Sequence, residues 1–473
     1  MKKRIIDLKT KLDSFGQRGR WQNVMRNIIT SDLLWLLIAC GVFRFIYYYC
    51  FLNTDWFPDS ITYLNYTANI LLGQVDVMRT PVYPYFIKLI KLFGAEQLIQ
   101  NIIFAQSIIS FLTIIVFYKT ICIIFKNRAV IIMASLIYGI MPTIINFDKC
   151  ILTESLSISA IVIFLYFIVS YFKKRTILKA SLFTLYVFFL VMLRPSFIFL
   201  LPLIIIFWVI RMMFYRKDWK MCLSGLAASF VCILLIWGYI QLNYMNNGFR
   251  GIALPSNINQ LDNIINANMY EYGNDSEISE TIKQNLSKSQ RQYNDSVKNI
   301  LYMKYSLERI SRFSNNCIKN QPSIFLKYTI VKTINLSQSK ATTYYARVRG
   351  GLLSELVIAF SNIFSITFLF IYLLLFFDVI YIIVMWVKLK QAPWFKIILE
   401  SIIIGQLAIA IIGAQGEYQR LSVSVLPYFI VLLFSYFDML LYSTDKDKLS
   451  KYLTSGFDKH NTFSNGKGKK HGW

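Results

Sequence analysis

Residues 55–84 read DWFPDSITYLNYTANILLGQVDVMRTPVYP, and the rest of the chain is arranged around them. An apolar run of about 20 residues, 33–52, comes just before; as a helix it covers roughly the 30 Å of a bilayer core. The stretch holds Asp59, Tyr63, Gly73 and Arg79 and ends on Pro-Val-Tyr-Pro. A carboxylate just outside a membrane span, followed 20 positions later by a guanidinium, suits chemistry on a phosphate-bearing lipid. Within it, residues 61–72 carry apolar side chains at 61, 64, 68, 71 and 72. That spacing predicts a surface-lying helix, capped at its start by Asp59 or Ser60. Residues 82–93 are too short to span and are expected to re-enter or lie in the interface.

Composition supports a membrane setting. The 473 residues are 56% hydrophobic and only 16% charged, where soluble domains carry about 25% charged residues. Mean hydropathy is +0.49. The net charge of +25, from 50 basic and 25 acidic residues, belongs to cytoplasmic loops and to attraction for anionic headgroups. No nucleic-acid recognition motif accompanies it, so nucleic acid is not expected as a partner. The seven cysteines, at 40, 50, 122, 150, 222, 232 and 317, lie mostly in apolar runs and form no CxxC. They read as neither a disulfide framework nor a zinc site. The two histidines, His460 and His471, sit in the polar tail, which leaves no His-based catalysis. No cleavable signal peptide is expected, because residues 1–31 are too long and too polar.

Those first 31 residues carry eight Lys/Arg against two Asp and predict a cytoplasmic N-terminal segment. Further spans are expected at 98–125, 129–147, 151–172, 178–193, 196–214 and 221–241, then at 352–387, 395–414 and 421–443. This organises the chain as a transmembrane core over 32–241 with a first external loop at 53–97. An extracytoplasmic segment over 242–350, mostly helical and without a strong apolar core, follows. Membrane helices over 351–443 and a disordered basic cytoplasmic tail over 444–473 complete it. The fold class is an all-α membrane protein of about ten transmembrane helices, with external juxtamembrane helices and one mostly helical external domain. Both termini are cytoplasmic in this reading, and the membrane is the plasma (inner) membrane.

The joints alternate in chemistry. Lys126, Arg128, Lys173, Lys174, Arg175, Arg211, Arg216 and Lys217 fall on one side. Asp59, Asp76, Arg79, Asp148, Glu154, Arg194, Glu417 and Arg420 fall on the other. Charges near hydrocarbon cost roughly 2.5–3.5 kcal/mol on insertion scales and so face a partner or a wet cavity. Asp59 suits a general base for an acceptor hydroxyl; its plain alternative is a helix-start residue. Arg79, beside Thr-Pro, suits a phosphate, or a headgroup anchor. Arg194, before Pro195, is a second phosphate ligand or a snorkelling side chain. Glu154 opens an apolar helix and needs a partner: Lys149, Arg194 or a sugar hydroxyl. Asp148 could position groups or help hold a divalent metal, which the sequence leaves open. Tyr63, Tyr83 and Tyr85 could stack on a sugar, although aromatics are common throughout.

The pattern D-S-x-x-Y at 59–63 with R-x-P-x-Y-P at 79–84 resembles the first loop of the C-type (GT-C fold) glycosyltransferases, in particular the protein O-mannosyltransferase and aminoarabinose transferase group. LTES at 152–155, LRPS at 193–196, and GEYQRL at 416–421 with VLP at 425–427 agree with it. Two departures stand out. Asp59 is followed by Ser60 where the family often pairs acids, and Arg79-Thr-Pro81 replaces Lys-Pro-Pro. The resemblance implies a GT-C-like bundle that transfers a sugar from a polyprenyl-phosphate carrier to an extracytoplasmic glycan, lipid or protein, usually with inversion. It makes Asp59 the base and Arg79 the residue that contacts the lipid phosphate; independently, Arg79 with Arg194 or Arg420 suits the charge that grows on the leaving phosphate. Tyr63, Tyr83, Asp148, Glu154, Glu417 and Tyr418 are the expected substrate contacts. An O-antigen or capsule polymerase and a polytopic lipid or solute transporter are the alternatives. The transporter predicts inverted repeats, and none is evident.

Overall fold

The computed structural model describes residues 31–51, 56–286, 294–337, 350–389, 394–413 and 418–442. The basic N-terminal segment, the tail and Glu417 lie outside these residues. The described part is helical, with no strand among its elements.

Seven helices among the described residues are long and apolar enough to cross a membrane: Asp32–Cys50, Leu98–Ile124, Glu154–Lys173, Pro195–Phe214, Trp219–Asn247, Trp394–Gly413 and Arg420–Leu441. An eighth crossing is a broken pair, Arg128–Ile140 and Pro142–Asp148, bent by 41°. Pro142 has no N–H to give to the helix and pushes Met141 into an extended conformation, which ends one piece and starts the next. The shorter Ile177–Leu193 and the long Leu352–Leu389 occupy the two other expected places.

Glu154–Lys173 is the central helix. Its apolar window is 72% buried, against 28% for Asp32–Cys50 at the periphery. It packs on Leu98–Ile124 and Ile177–Leu193, and its own first residue is the site residue Glu154. Gly139 matters for close approach: a side chain there would collide with Cys40, so only glycine lets helix Asp32–Cys50 lie against helix Arg128–Ile140.

The expected helix over 61–72 is two pieces. Pro58–Leu64 is helical, with Pro58 at its first turn and Asp59 inside that turn rather than at the cap, which is Phe57. A 3-10 turn follows at Ile70–Leu72, where the Asn69 side chain accepts from the Leu71 N–H and Gly73 takes the left-handed conformation at φ 73. Val82–Lys91 buries Tyr83, Pro84 and Ile87 and leaves Leu89 exposed, as a helix lying along a surface does.

The segment after Asn247 has the apolar core that its diluted sequence pattern hides. Helices Pro255–Asn266, Ser276–Leu286, Asp295–Lys304 and Leu307–Asn320 bury Leu261, Ile264, Ile278, Ile282, Leu301 and Phe313 together. Each helix gives only two or three apolar side chains, so the core emerges only when four are assembled. This domain is tied to the bundle by backbone-directed asparagines. Helix Trp219–Asn247, which leads into it, is itself held to the first loop: Asn246 and Asn247 donate to the carbonyls of Gly73 (2.9 Å) and Val75 (3.0 Å). The Leu254 N–H donates to the Val77 carbonyl at 2.8 Å. Asn259 and Asn263 reach the carbonyls of Gly413 (2.8 Å) and Ile412 (3.1 Å), satisfying acceptors that the end of helix Trp394–Gly413 leaves open.

Candidate active site

The first loop, the starts of helices Glu154–Lys173 and Tyr418–Ser422, and the turn at Arg194 meet at one end of the bundle. Each brings a charged group for a local reason. Asp76 Oδ1 accepts from the N–H groups of Met78 (2.7 Å) and Arg79 (2.9 Å), a turn that fixes where Arg79 leaves the backbone. Arg194 stands between a helix end and Pro195, which holds it extended at φ −150, ψ 114. Gln406 donates to the Leu421 carbonyl at 2.8 Å and pins the short helix that carries Arg420.

The five side chains form an alternating ionic chain. Arg79 Nη2 donates to Asp59 Oδ1 at 2.6 Å. Arg420 Nη2 donates to Asp59 Oδ2 at 3.2 Å, and its Nε lies 3.2 Å from Glu154 Oε1. Arg194 Nη2 donates to the same Glu154 oxygen at 3.2 Å. The remaining nitrogens of Arg79 are also used, Nε donating to Thr62 Oγ1 (2.7 Å) and Nη1 to the Tyr63 hydroxyl (3.2 Å). Three guanidiniums face two carboxylates, an excess of one positive charge. Accessibility is graded: a third of the Asp59 side chain is exposed, whereas those of Arg79, Arg420, Arg194 and Glu154 are largely or wholly buried.

Burial would raise the Asp59 carboxyl, but the guanidiniums of Arg79 and Arg420 outweigh it and hold it below the ordinary carboxylate range. Asp59 is therefore ionised at neutral pH. Burial pushes the Tyr63 hydroxyl up, so Tyr63 keeps its proton while it accepts from Arg79.

Beneath this chain lies a second polar network. Tyr63 meets Tyr83 edge-on at 4.9 Å between centroids, and the Tyr83 hydroxyl donates to Gln106 Oε1 at 2.7 Å. Gln106 donates to the carbonyls of Asp148 and Cys150, both at 3.0 Å. The Asp148 carboxylate, fully buried, accepts from Arg44 Nη1 (3.0 Å) and Ser155 Oγ (2.6 Å). Arg44 also donates to the Gly139 carbonyl and to Ser110, both at 3.1 Å.

The expected residues divide accordingly. Asp59, Arg79, Arg194, Arg420, Glu154 and Tyr63 are brought together. Tyr83 is buried behind Tyr63. Asp148 is enclosed by its own partners and touches none of the five charged groups. Lys149, a considered partner for Glu154, donates instead to the Phe51 carbonyl. Glu417 lies outside the described residues, as does the side chain of Tyr418. Sequence reasoning missed Arg44 and Gln106. An arginine inside the apolar run 33–52 was signal enough for the first, since a charge at that depth needs a partner. Among the described residues no group of three His, Cys, Asp or Glu is placed to hold a metal ion.

No family model matches the chain, and no curated protein matches it. Solved structures do. The archaeal oligosaccharyltransferase AglB from Archaeoglobus fulgidus, in complex with an inhibitory peptide and a dolichol-phosphate, is similar with a TM-score of 0.43 and 12% identity over 89% of this chain and 53% of that one. The apo form of the Archaeoglobus fulgidus oligosaccharyltransferase gives a TM-score of 0.45 and 12% identity, over 91% and 55%. The form tethered to an acceptor peptide gives 0.43 and 12%, over 89% and 53%. The chain spans about half the length of these proteins.

Proposed function

We propose that the chain is a membrane glycosyltransferase of the GT-C type, moving a sugar from a polyprenyl-phosphate carrier to an acceptor hydroxyl on a glycan, lipid or protein. The observation that carries this reading is the placement of Asp59, the most exposed member of the cluster, between Arg79 and Arg420. A base that can reach an acceptor thus stands beside two groups that can hold a phosphate.

The reaction is one inverting displacement. The acceptor oxygen attacks the anomeric carbon as its proton passes to Asp59. The bond from that carbon to the carrier phosphate breaks, and its electron pair stays on the phosphate oxygen. Arg79 and Arg420 meet the charge that grows there. In turning toward the phosphate they release Asp59, whose basicity rises as the base is needed. Arg194, expected from the sequence as a second phosphate ligand, stands one carboxylate further in, paired with Glu154. Tyr63 and Tyr83 hold Arg79 in line, and Asp148 with Arg44 fixes the broken helix behind them. The basic ends of the bundle, at Arg128, Lys173, Arg175 and Arg211, face the cytoplasm by the positive-inside rule, which puts the site outside. The domain built from helices Pro255–Asn266, Ser276–Leu286, Asp295–Lys304 and Leu307–Asn320 is then extracytoplasmic and bears on acceptor choice.

The test is to supply purified protein in liposomes with a panel of radiolabelled polyprenyl-phosphate sugars and an envelope extract as acceptor. Transfer of label with release of bare polyprenyl phosphate is the expected result. Movement of intact labelled lipid across the bilayer, without cleavage, would make the protein a transporter.

A further inference from the structure

Two groups in the cluster are left incomplete. Glu154 places both of its cationic contacts on one oxygen, Oε1, while Oε2 is buried and without a hydrogen-bond partner among the described residues. Arg194 is paired through Nη2, while Nη1 is likewise buried and without a partner. Both residues are more than nine-tenths buried. Two positions on, the Ser196 hydroxyl is in the same state. Native proteins rarely leave charged groups so, since each unmade bond carries the full desolvation penalty.

The chemistry of the two atoms is complementary. Glu154 Oε2 can only accept, and Arg194 Nη1 can only donate. A phosphate oxygen would suit the arginine but would be repelled by the carboxylate. A hydroxyl group donates and accepts at once, and a pair of neighbouring hydroxyls on a ring does so at two points. We infer that Glu154 and Arg194 form the sugar-recognition end of the site, with a ring hydroxyl of the donor giving its proton to Glu154 Oε2 and accepting from Arg194 Nη1. The inference rests on the reading of the outer cluster as a lipid-phosphate site. Arg420 joins the two ends, because it touches both Asp59 and Glu154. When it turns to the phosphate it uncovers Glu154 for the sugar, so carrier and sugar are engaged by one movement.

The experiment measures equilibrium binding to the full chain in nanodiscs. The probes are bare polyprenyl phosphate, the same lipid carrying glucose, mannose or galactose, and deoxy analogues of whichever sugar binds best. At least one sugar-linked carrier should bind wild type about tenfold more tightly than the bare carrier, the value of one charge-assisted hydrogen bond. In Glu154→Gln that advantage should vanish, while bare-carrier affinity should hold or rise, because losing the carboxylate also frees Arg194 and Arg420. If Glu154→Gln fails to bind the bare carrier, the deoxy analogues decide on wild type alone: one missing hydroxyl should remove the tenfold gain. Equal binding of bare and sugar-linked carriers, or of all deoxy analogues, overturns the sugar site and leaves the phosphate site standing. A wild type that binds no polyprenyl phosphate overturns both.

Discussion

Replacing Asp59 by Asn should have two effects of opposite sign. Asp59 accepts from Arg79 at 2.6 Å and from Arg420 at 3.2 Å, so it occupies the groups that a lipid phosphate would need. A third of its side chain is exposed, which puts each pair in the range of partly solvated ion pairs, about 0.5–1 kcal/mol. Neutralising the carboxylate removes about 1–2 kcal/mol of competition, equal to roughly 5–30-fold tighter binding of bare polyprenyl phosphate. The same change deletes the proposed base, and transfer should fall about 10²–10⁴-fold. Titration of labelled polyprenyl phosphate into wild type and Asp59→Asn in nanodiscs reads the first effect, and label transfer reads the second. A variant that binds phosphate no better than wild type would show that Asp59 does not shield the arginines. A variant that transfers at the wild-type rate would remove it from the chemistry.

Further outcomes follow from the same contacts. Arg79→Lys keeps the charge but cannot reproduce the fork that meets Asp59, Thr62 and Tyr63; transfer should fall about 10²–10³-fold, with little change in the melting temperature of the purified protein. Asp148→Asn strips a fully buried Arg44 of its counter-charge, and loss of one partner from such a pair costs about 3–5 kcal/mol; thermal melts in detergent should drop, and Arg44→Met with Asp148→Leu should recover most of the loss. The Asp59 carboxyl is held below its ordinary range, so its ion pairs stabilise the fold fully above an unfolded value of about 4. That contribution is lost as pH falls through the lower folded value, and the stability gap between wild type and Asp59→Asn should shrink in the same window.

Much of the bundle was readable because a span needs only a long apolar run, and a helix stands at each of the ten expected places. What composition could not show was how a run is interrupted: the stretch 129–147 looks continuous, yet Pro142 breaks it and aims its second half into the core. The helical domain was harder, since Leu261, Ile278, Leu301 and Phe313 come from four helices and only the assembled fold makes them neighbours. At the site, residue types and their common end of the bundle were legible from the spacing of spans. Partner choice was not. Glu154 could have met Lys149 or Arg194, and the fold gives it Arg194 and Arg420. Asp148, expected among the substrate contacts, shares that end of the bundle, and its pairing with Arg44, two-thirds along the first span, was not foreseen. The Asp76 turn that sets Arg79 depends on backbone geometry that no side-chain pattern announces.

The central claim is that a sugar leaves its carrier phosphate between Asp59 and the arginines. It is tested most directly by counting the bare polyprenyl phosphate released when purified wild type and Asp59→Asn are each given the labelled sugar-linked carrier and an acceptor extract. The account predicts release matched one for one by labelled acceptor in wild type, and almost none in the variant. Equal release from both proteins, or none from wild type with any carrier in the panel, would contradict it.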